Sequence, residues 1–127
     1  MQLLTVTAEG WPHVALLSVG EVLAVSGREL RLALWPSSTT TANLERTGRA
    51  TLAAVVDGQA VYVELGVSEP PRRTREGLAR LHAEVRSVKV DAVDYARLES
   101  GIAFALPDPE PVVERWTATV AELAEPS

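Results

Sequence analysis

The chain has 127 residues, a length that carries one domain around a single hydrophobic core. Its 46% hydrophobic and 23% charged content is that of a globular protein, and a net charge of −5 argues against a general nucleic-acid binder, which presents a basic face. The lack of cysteine excludes disulfides, thiolate nucleophiles and cysteine-based metal sites; with no apolar run of membrane-spanning length and no signal-like start, the expected location is the cytoplasm.

From the N-terminus, Leu3 to Thr7 is a short apolar and β-branched run. Glu9-Gly10 with Pro12 marks a turn before a second run, Val14 to Val19, so the two predict a hairpin. Gly20-Glu21 and Ser26-Gly27-Arg28-Glu29 then bound Val22 to Val25 and Leu30 to Trp35, at the spacing of an antiparallel meander. In the last of these runs Leu30, Leu32 and Leu34 fall on one face and Arg31, Ala33 and Trp35 on the other.

Pro36 ends that strand, and five hydroxylated residues follow, Ser37, Ser38, Thr39, Thr40 and Thr41. Ser and Thr compete with the backbone for hydrogen bonds, so such a run belongs at a helix start rather than inside a helix. The spacing predicts a brief helix from about Thr39 to Thr47, capped by Ser37 or Ser38 and ended by a left-handed Gly48. The first amides of a helix have no intrahelical partners and sit at the positive end of its dipole, which makes this stretch a candidate anion cradle.

Asp57-Gly58, between Ala50 to Val56 and Gln59 to Leu65, is the strongest hairpin signal in the chain. Ser68 to Thr74 reads as a loop, and Arg75 to Arg80 as a helical turn. Leu81, Ala83 and Val85 alternate as a strand does, while Val88 and Val90 have the opposite parity, which predicts a bulge near Arg86-Ser87. Asp91 to Ser100 is expected to be an irregular or helical connection and Gly101 to Leu106 a last short strand. A C-terminal helix from about Pro111 to Ala124 carries Val112, Val113, Trp116, Val120 and Leu123 on one stripe.

Three stretches, GWPHVALLSV (Gly10 to Val19), LALWPSSTTTANLERTGRATL (Leu32 to Leu52) and AEVRSVKVDAVDYARLESGIAFAL (Ala83 to Leu106), give the chain an order of features that resembles the pyridoxamine 5′-phosphate oxidase-like, FMN-binding split barrels. The resemblance implies a mainly β fold over 1–127, an antiparallel split β-barrel with a short helix after the fourth strand and a C-terminal helix. It also implies a homodimer that binds FMN at the subunit interface, with the phosphate near that short helix and the flavin ring against strands of both subunits. Carried onto this sequence, the phosphate positions are Ser37, Ser38, Thr39 and Thr40, with Asn43 as a supporting contact. The ring walls are His13, Val14, Ala15 and Leu16 on one side and Leu34 and Trp35 on the other. The pyridoxamine phosphate oxidases have an Arg-Lys pair where this chain has Thr39 and Thr40, and an arginine where it has Ala15. Arg46, Arg49 or an arginine of a second subunit are the candidates to replace those cations.

The remaining chemistry is sparse. His13 and His82 are far apart and give no zinc-ligand spacing, no base can be identified beside any hydroxyl, and Arg72, Arg73 and Arg75 read as a solvated loop. Trp11, Trp35 and Trp116 are candidates to stack on a ring, against the plainer roles of core or interface residues. Two functions stay open: a small flavin-dependent oxidoreductase using FMN or a deazaflavin, and a cofactor-free dimeric module that kept the fold. An oligonucleotide-binding barrel is disfavoured by the acidic balance and an aromatic content of 5%.

Overall fold

Short alternating runs separated by Gly, Pro and Asp turns produce strands, and two stretches of helical spacing produce helices. In the computed structural model, which describes residues 1–126, the chain runs β1 (Gln2–Val6), β2 (Pro12–Leu16), β3 (Val22–Ala24), β4 (Glu29–Leu34), α1 (Thr39–Thr47), β5 (Arg49–Val56), β6 (Gln59–Gly66), β7 (Arg72–Arg73), β8 (Ala79–Asp91) and α2 (Pro109–Ala124). One antiparallel sheet holds all eight strands, ordered β2-β1-β5-β6-β8-β4-β3 with β7 added beside β8. The predicted hairpins β1–β2, β3–β4 and β5–β6 all form. At the tip of the last, Asp57 and Gly58 both take positive φ (52° and 78°), as a two-residue loop matched to strand twist requires.

Three expectations are corrected. The meander does not continue from β2 to β3, because these strands are the two opposite edges of the sheet. Arg75 to Arg80 is not helical: the Thr74 amide donates to the Leu78 carbonyl and the Leu78 amide to the Thr74 hydroxyl around Gly77, whose φ of 86° closes a turn, and β8 starts at Ala79. Gly101 to Leu106 forms no strand; it pairs with nothing, and Ile102 and Phe104 stay 58% and 60% exposed. The change of parity in β8 is a true bulge, since Glu64 pairs with Ser87 and Leu65 with Val85, leaving Arg86 as the extra residue.

β8 has 13 residues because it serves two neighbours, β4 along its first half and β6 along its second. The sheet curls around a leucine-rich core built from Leu3, Leu30, Leu32, Leu44, Leu52, Leu65 and Leu81. Burying each such side chain contributes about 2 kcal/mol. Leu44 brings α1 onto this core, and Leu123, fully buried, fixes the end of α2. α1 lies by β1 and β2, and α2 lies by β3 and β4, so the two helices flank the two unpaired sheet edges. Among the described residues no helix is long and apolar enough to cross a membrane.

Candidate functional site

The hydroxyl run divides into residues that build the fold and residues that do not. Ser38 is the N-cap: its extended backbone (φ −75°, ψ 153°) places Oγ to accept from the Thr41 amide at 3.1 Å. The Thr41 hydroxyl donates to the Trp35 carbonyl at 2.7 Å and receives the Ser38 hydroxyl at 3.0 Å, which closes the loop around Pro36. At the other end Gly48, with φ 65°, donates to the Leu44 carbonyl and ends the helix as predicted. Thr40 is different. It is 4% exposed, yet its hydroxyl has no hydrogen-bond partner among the described residues, and it borders a cleft.

That cleft has a volume of about 320 Å³ and opens between β2, the end of β4, the start of α1 and one face of α2. It brings together Ala15, Leu16, Leu34, Trp35, Ser38 and Thr40 of the predicted positions. Ala15 and Leu34 are walls from strands near opposite ends of the sheet order, and Trp35 stands at the rim, 71% exposed. Ser37 and Thr39 are exposed on the loop and first turn, outside the cleft lining. His13 is half-buried opposite Thr5 on β1, and Val14 points to the outer face, 50% exposed; neither reaches the cleft. Asn43 is 2% exposed and occupied elsewhere: its amide donates to the Thr5 hydroxyl at 2.9 Å and accepts from Arg46 at 3.2 Å, tying α1 to β1.

The cations expected to stand in for the family's arginines are also occupied or distant. Arg46 bonds Asn43 and the Val6 carbonyl, and Arg49 lies at the opposite end of α1, in a separate groove beside Gly48 and Gly66. Arg115 of α2 is the cation that does line the cleft, with Trp116 and Thr119 beside it. α2 comes this close because residue 20 is glycine: a Cβ there would lie 2.1 Å from the Trp116 ring. Glu21 follows on the cleft wall, its carboxylate accepting from the Ser18 hydroxyl at 3.1 Å. Burial pushes its pKa above the ordinary carboxylate value, while the Ser18 bonds, the N-terminal amine and Arg115 pull it back. Gly20, Glu21 and Arg115 carried no sequence signal, since a turn glycine, a turn glutamate and a helix-surface arginine look alike wherever they occur.

A curled antiparallel sheet with a hydroxyl-lined helix start at its cleft defines a split β-barrel of the FMN-binding type. An FMN-binding protein from Syntrophomonas wolfei subsp. wolfei superimposes with a TM-score of 0.59 at 16% identity, covering 72% of this chain and 76% of that one. An F420 reductase gives 0.55 at 14% identity, covering 69% of this chain and 86% of that one. At these identities the likeness is one of fold. No family model matches the chain. The chain belongs to the family of the uncharacterized protein YclD of Bacillus subtilis (strain 168), with 42% identity over 121 residues, 94% of this chain and 79% of that protein.

Proposed function

We propose that this chain is a flavin-binding split-barrel protein of the pyridoxamine 5′-phosphate oxidase-like group, a small flavin-dependent oxidoreductase of the cytoplasm that works as a homodimer with a shared cofactor site. The observation that carries the reading is Thr40 beside the α1 N-terminus, a largely buried residue whose hydroxyl bonds no protein group among the described residues and which lines the cleft. A hydroxyl with no protein partner, next to amides at the positive end of a helix, suits a phosphate oxygen. The Thr40 hydroxyl and the amides of Thr39 and Thr40 hold the phosphate, with Ser37 at the mouth, while Ser38 keeps the helix start in place through its bonds to Thr41. Ala15, Leu16, Leu34 and Trp35 form the apolar and aromatic wall of the ring site. FMN or a deazaflavin supplies the redox chemistry when bound, and the protein supplies orientation and electrostatics. Fold neighbours named for FMN and for F420, a deazaflavin, support a ligand of this kind without choosing between the two.

The dimer is supported by surface that one copy leaves uncovered. An accessible area of 8277 Å² exceeds the roughly 6,600 Å² usual for a folded monomer of this mass. The register that pairs Val63 with Val88 and Val61 with Val90 continues the inner face of the sheet beyond the core, and Val88 and Val90 are more than half exposed there. Tyr95, Ile102 and Phe104 add exposed apolar area in the segment that follows.

The second reading, a cofactor-free dimeric module, is favoured by one feature: Arg115 is the single cation lining the cleft among the described residues. Without cationic partners a phosphate is held more weakly, because charge-assisted bonds are about twice as strong as neutral ones. The visible spectrum of the purified protein and a fluorescence titration with FMN and with F420 separate the two. Flavin absorption, or a change in fluorescence that saturates at one FMN or F420 per subunit, supports the first; colourless protein that leaves the fluorescence of both unchanged supports the second.

A further inference from the structure

The cleft lining also holds a carboxylate and a guanidinium that the phosphate reading does not use. Glu21 lies there, on the strand edge joined to β4 by the bond from the Ala33 amide to the Glu21 carbonyl, 2.9 Å. Its side chain is oriented by Ser18, whose hydroxyl donates to Oε1 and accepts the Gly20 amide at 3.3 Å. Arg115 faces the same space from α2. An acceptor held by Ser18 and a cationic donor on the facing helix, between apolar walls and beside Trp116, make a site for a flat ligand whose edge offers N–H next to C=O.

We propose that Glu21 and Arg115 recognise an imide or ureide edge of a planar ring, Glu21 accepting its N–H and Arg115 donating to the neighbouring carbonyl. This rests on the flavin reading and assigns the end of the cleft away from Ser38 and Thr40 to the pyrimidinedione part of the ring. The edge is common to flavins and 5-deazaflavins, so the pair selects for the ring system and not for the atom at position 5. A carboxylate in a partly dry cleft loses hydration it recovers only from a donor, which is why the missing N–H of an analogue weighs heavily there. Gly20 belongs to the same device, because a Cβ there would lie 2.1 Å from the Trp116 side chain and push away the helix that carries Arg115.

The test is a fluorescence titration of the full chain with FMN and with N3-methyl FMN, whose methyl group replaces the N–H. Wild-type protein is expected to bind FMN at least about tenfold more tightly than the methylated analogue. Glu21→Leu is expected to lose that preference by weakening FMN alone, and Arg115→Met to weaken both ligands. The comparison on wild type needs no variant, so instability of Glu21→Leu does not blunt it. Equal affinity of wild type for FMN and its N3-methyl form overturns the assignment and leaves flavin binding standing. Failure of wild type to bind either FMN or F420 overturns both.

Discussion

At the scale of single residues, the hydroxyl run separates stability from binding. Ser38→Ala removes the acceptor of the Thr41 amide and is expected to cost about 1 kcal/mol in urea denaturation. Thr40→Val has no protein partner to lose, so its stability is expected to stay within about 0.5 kcal/mol of wild type. If Thr40 holds the phosphate, its FMN affinity falls by roughly tenfold in the same variant. Asn43 shows how a polar side chain beside a candidate site can be wholly structural. Asn43→Ala leaves the Thr5 hydroxyl and Arg46 without their partner at a 2% exposed position, and a loss of about 1–3 kcal/mol is expected by the same denaturation. Asn43 could be picked from the sequence as a polar neighbour of the cradle, but its partner Thr5 is 38 positions away and no local pattern joins them.

At the scale of elements, α2 decides how closed the cleft is. Few of its side chains are buried, Thr119 and Leu123 among them, and its C-terminal carbonyls are held by arginines from the sheet. Arg31 donates to the carbonyls of Leu123 and Glu125, and Arg80 to those of Glu122, Leu123 and Glu125. Arg75 adds an exposed pair to Glu125 at 2.7 Å and draws that carboxylate below its ordinary pKa. The cations complement the negative end of the helix dipole. Arg80→Met, which removes one of the donors to the carbonyls of Glu122, Leu123 and Glu125, is expected to cost about 1–2 kcal/mol in thermal or urea denaturation. Arg75→Ala, on the surface, is expected to cost less.

A pH dependence arises beside the same arginines. His82 is partly buried among Arg31 and Arg80; burial first, and then those two charges, lower its pKa below 6.5 against the pull of Glu29, 3.7 Å away. The folded chain therefore binds fewer protons than the unfolded one just below pH 6.5. This contribution is present above pH 6.5 and is lost as pH falls through the lowered folded value. Glu21 works in the opposite direction: its raised pKa gives a contribution present below pH 4.5 and lost as pH rises through the folded value. His82→Gln is expected to flatten the decline of the melting temperature on the acid side of pH 6.5. An unchanged pH profile in that variant removes His82 from the account.

At the scale of the whole molecule, the uncovered inner face of β6 and β8 and the apolar segment after β8 predict self-association. Sedimentation of the purified chain is expected to give twice the subunit mass of 13.6 kDa. Val88→Lys with Val90→Lys is expected to shift it to one subunit, since buried like charges across an interface are costly. A wild-type chain that sediments as a single subunit at micromolar concentration removes the dimer and with it the shared cofactor site.

Much of the architecture was present in the order of residues. The bounds of α1, its left-handed Gly48, the Asp57-Gly58 hairpin and the parity break at Arg86 are local events, set by turn chemistry and side-chain periodicity within a few positions. So was the face of β4 that carries Leu30, Leu32 and Leu34 into the core, because alternation alone tells which side of that strand is apolar. Gly101 to Leu106 failed because its apolar residues meet no partner strand; composition suggested an element that pairing did not supply. That β2 and β3 lie at opposite edges, that α2 closes over Gly20, and that Glu21 and Arg115 face one cleft were decided in three dimensions. Those relations join residues far apart in the chain through the curl of one sheet, and no spacing along a linear sequence encodes which distant side chains that curl brings together.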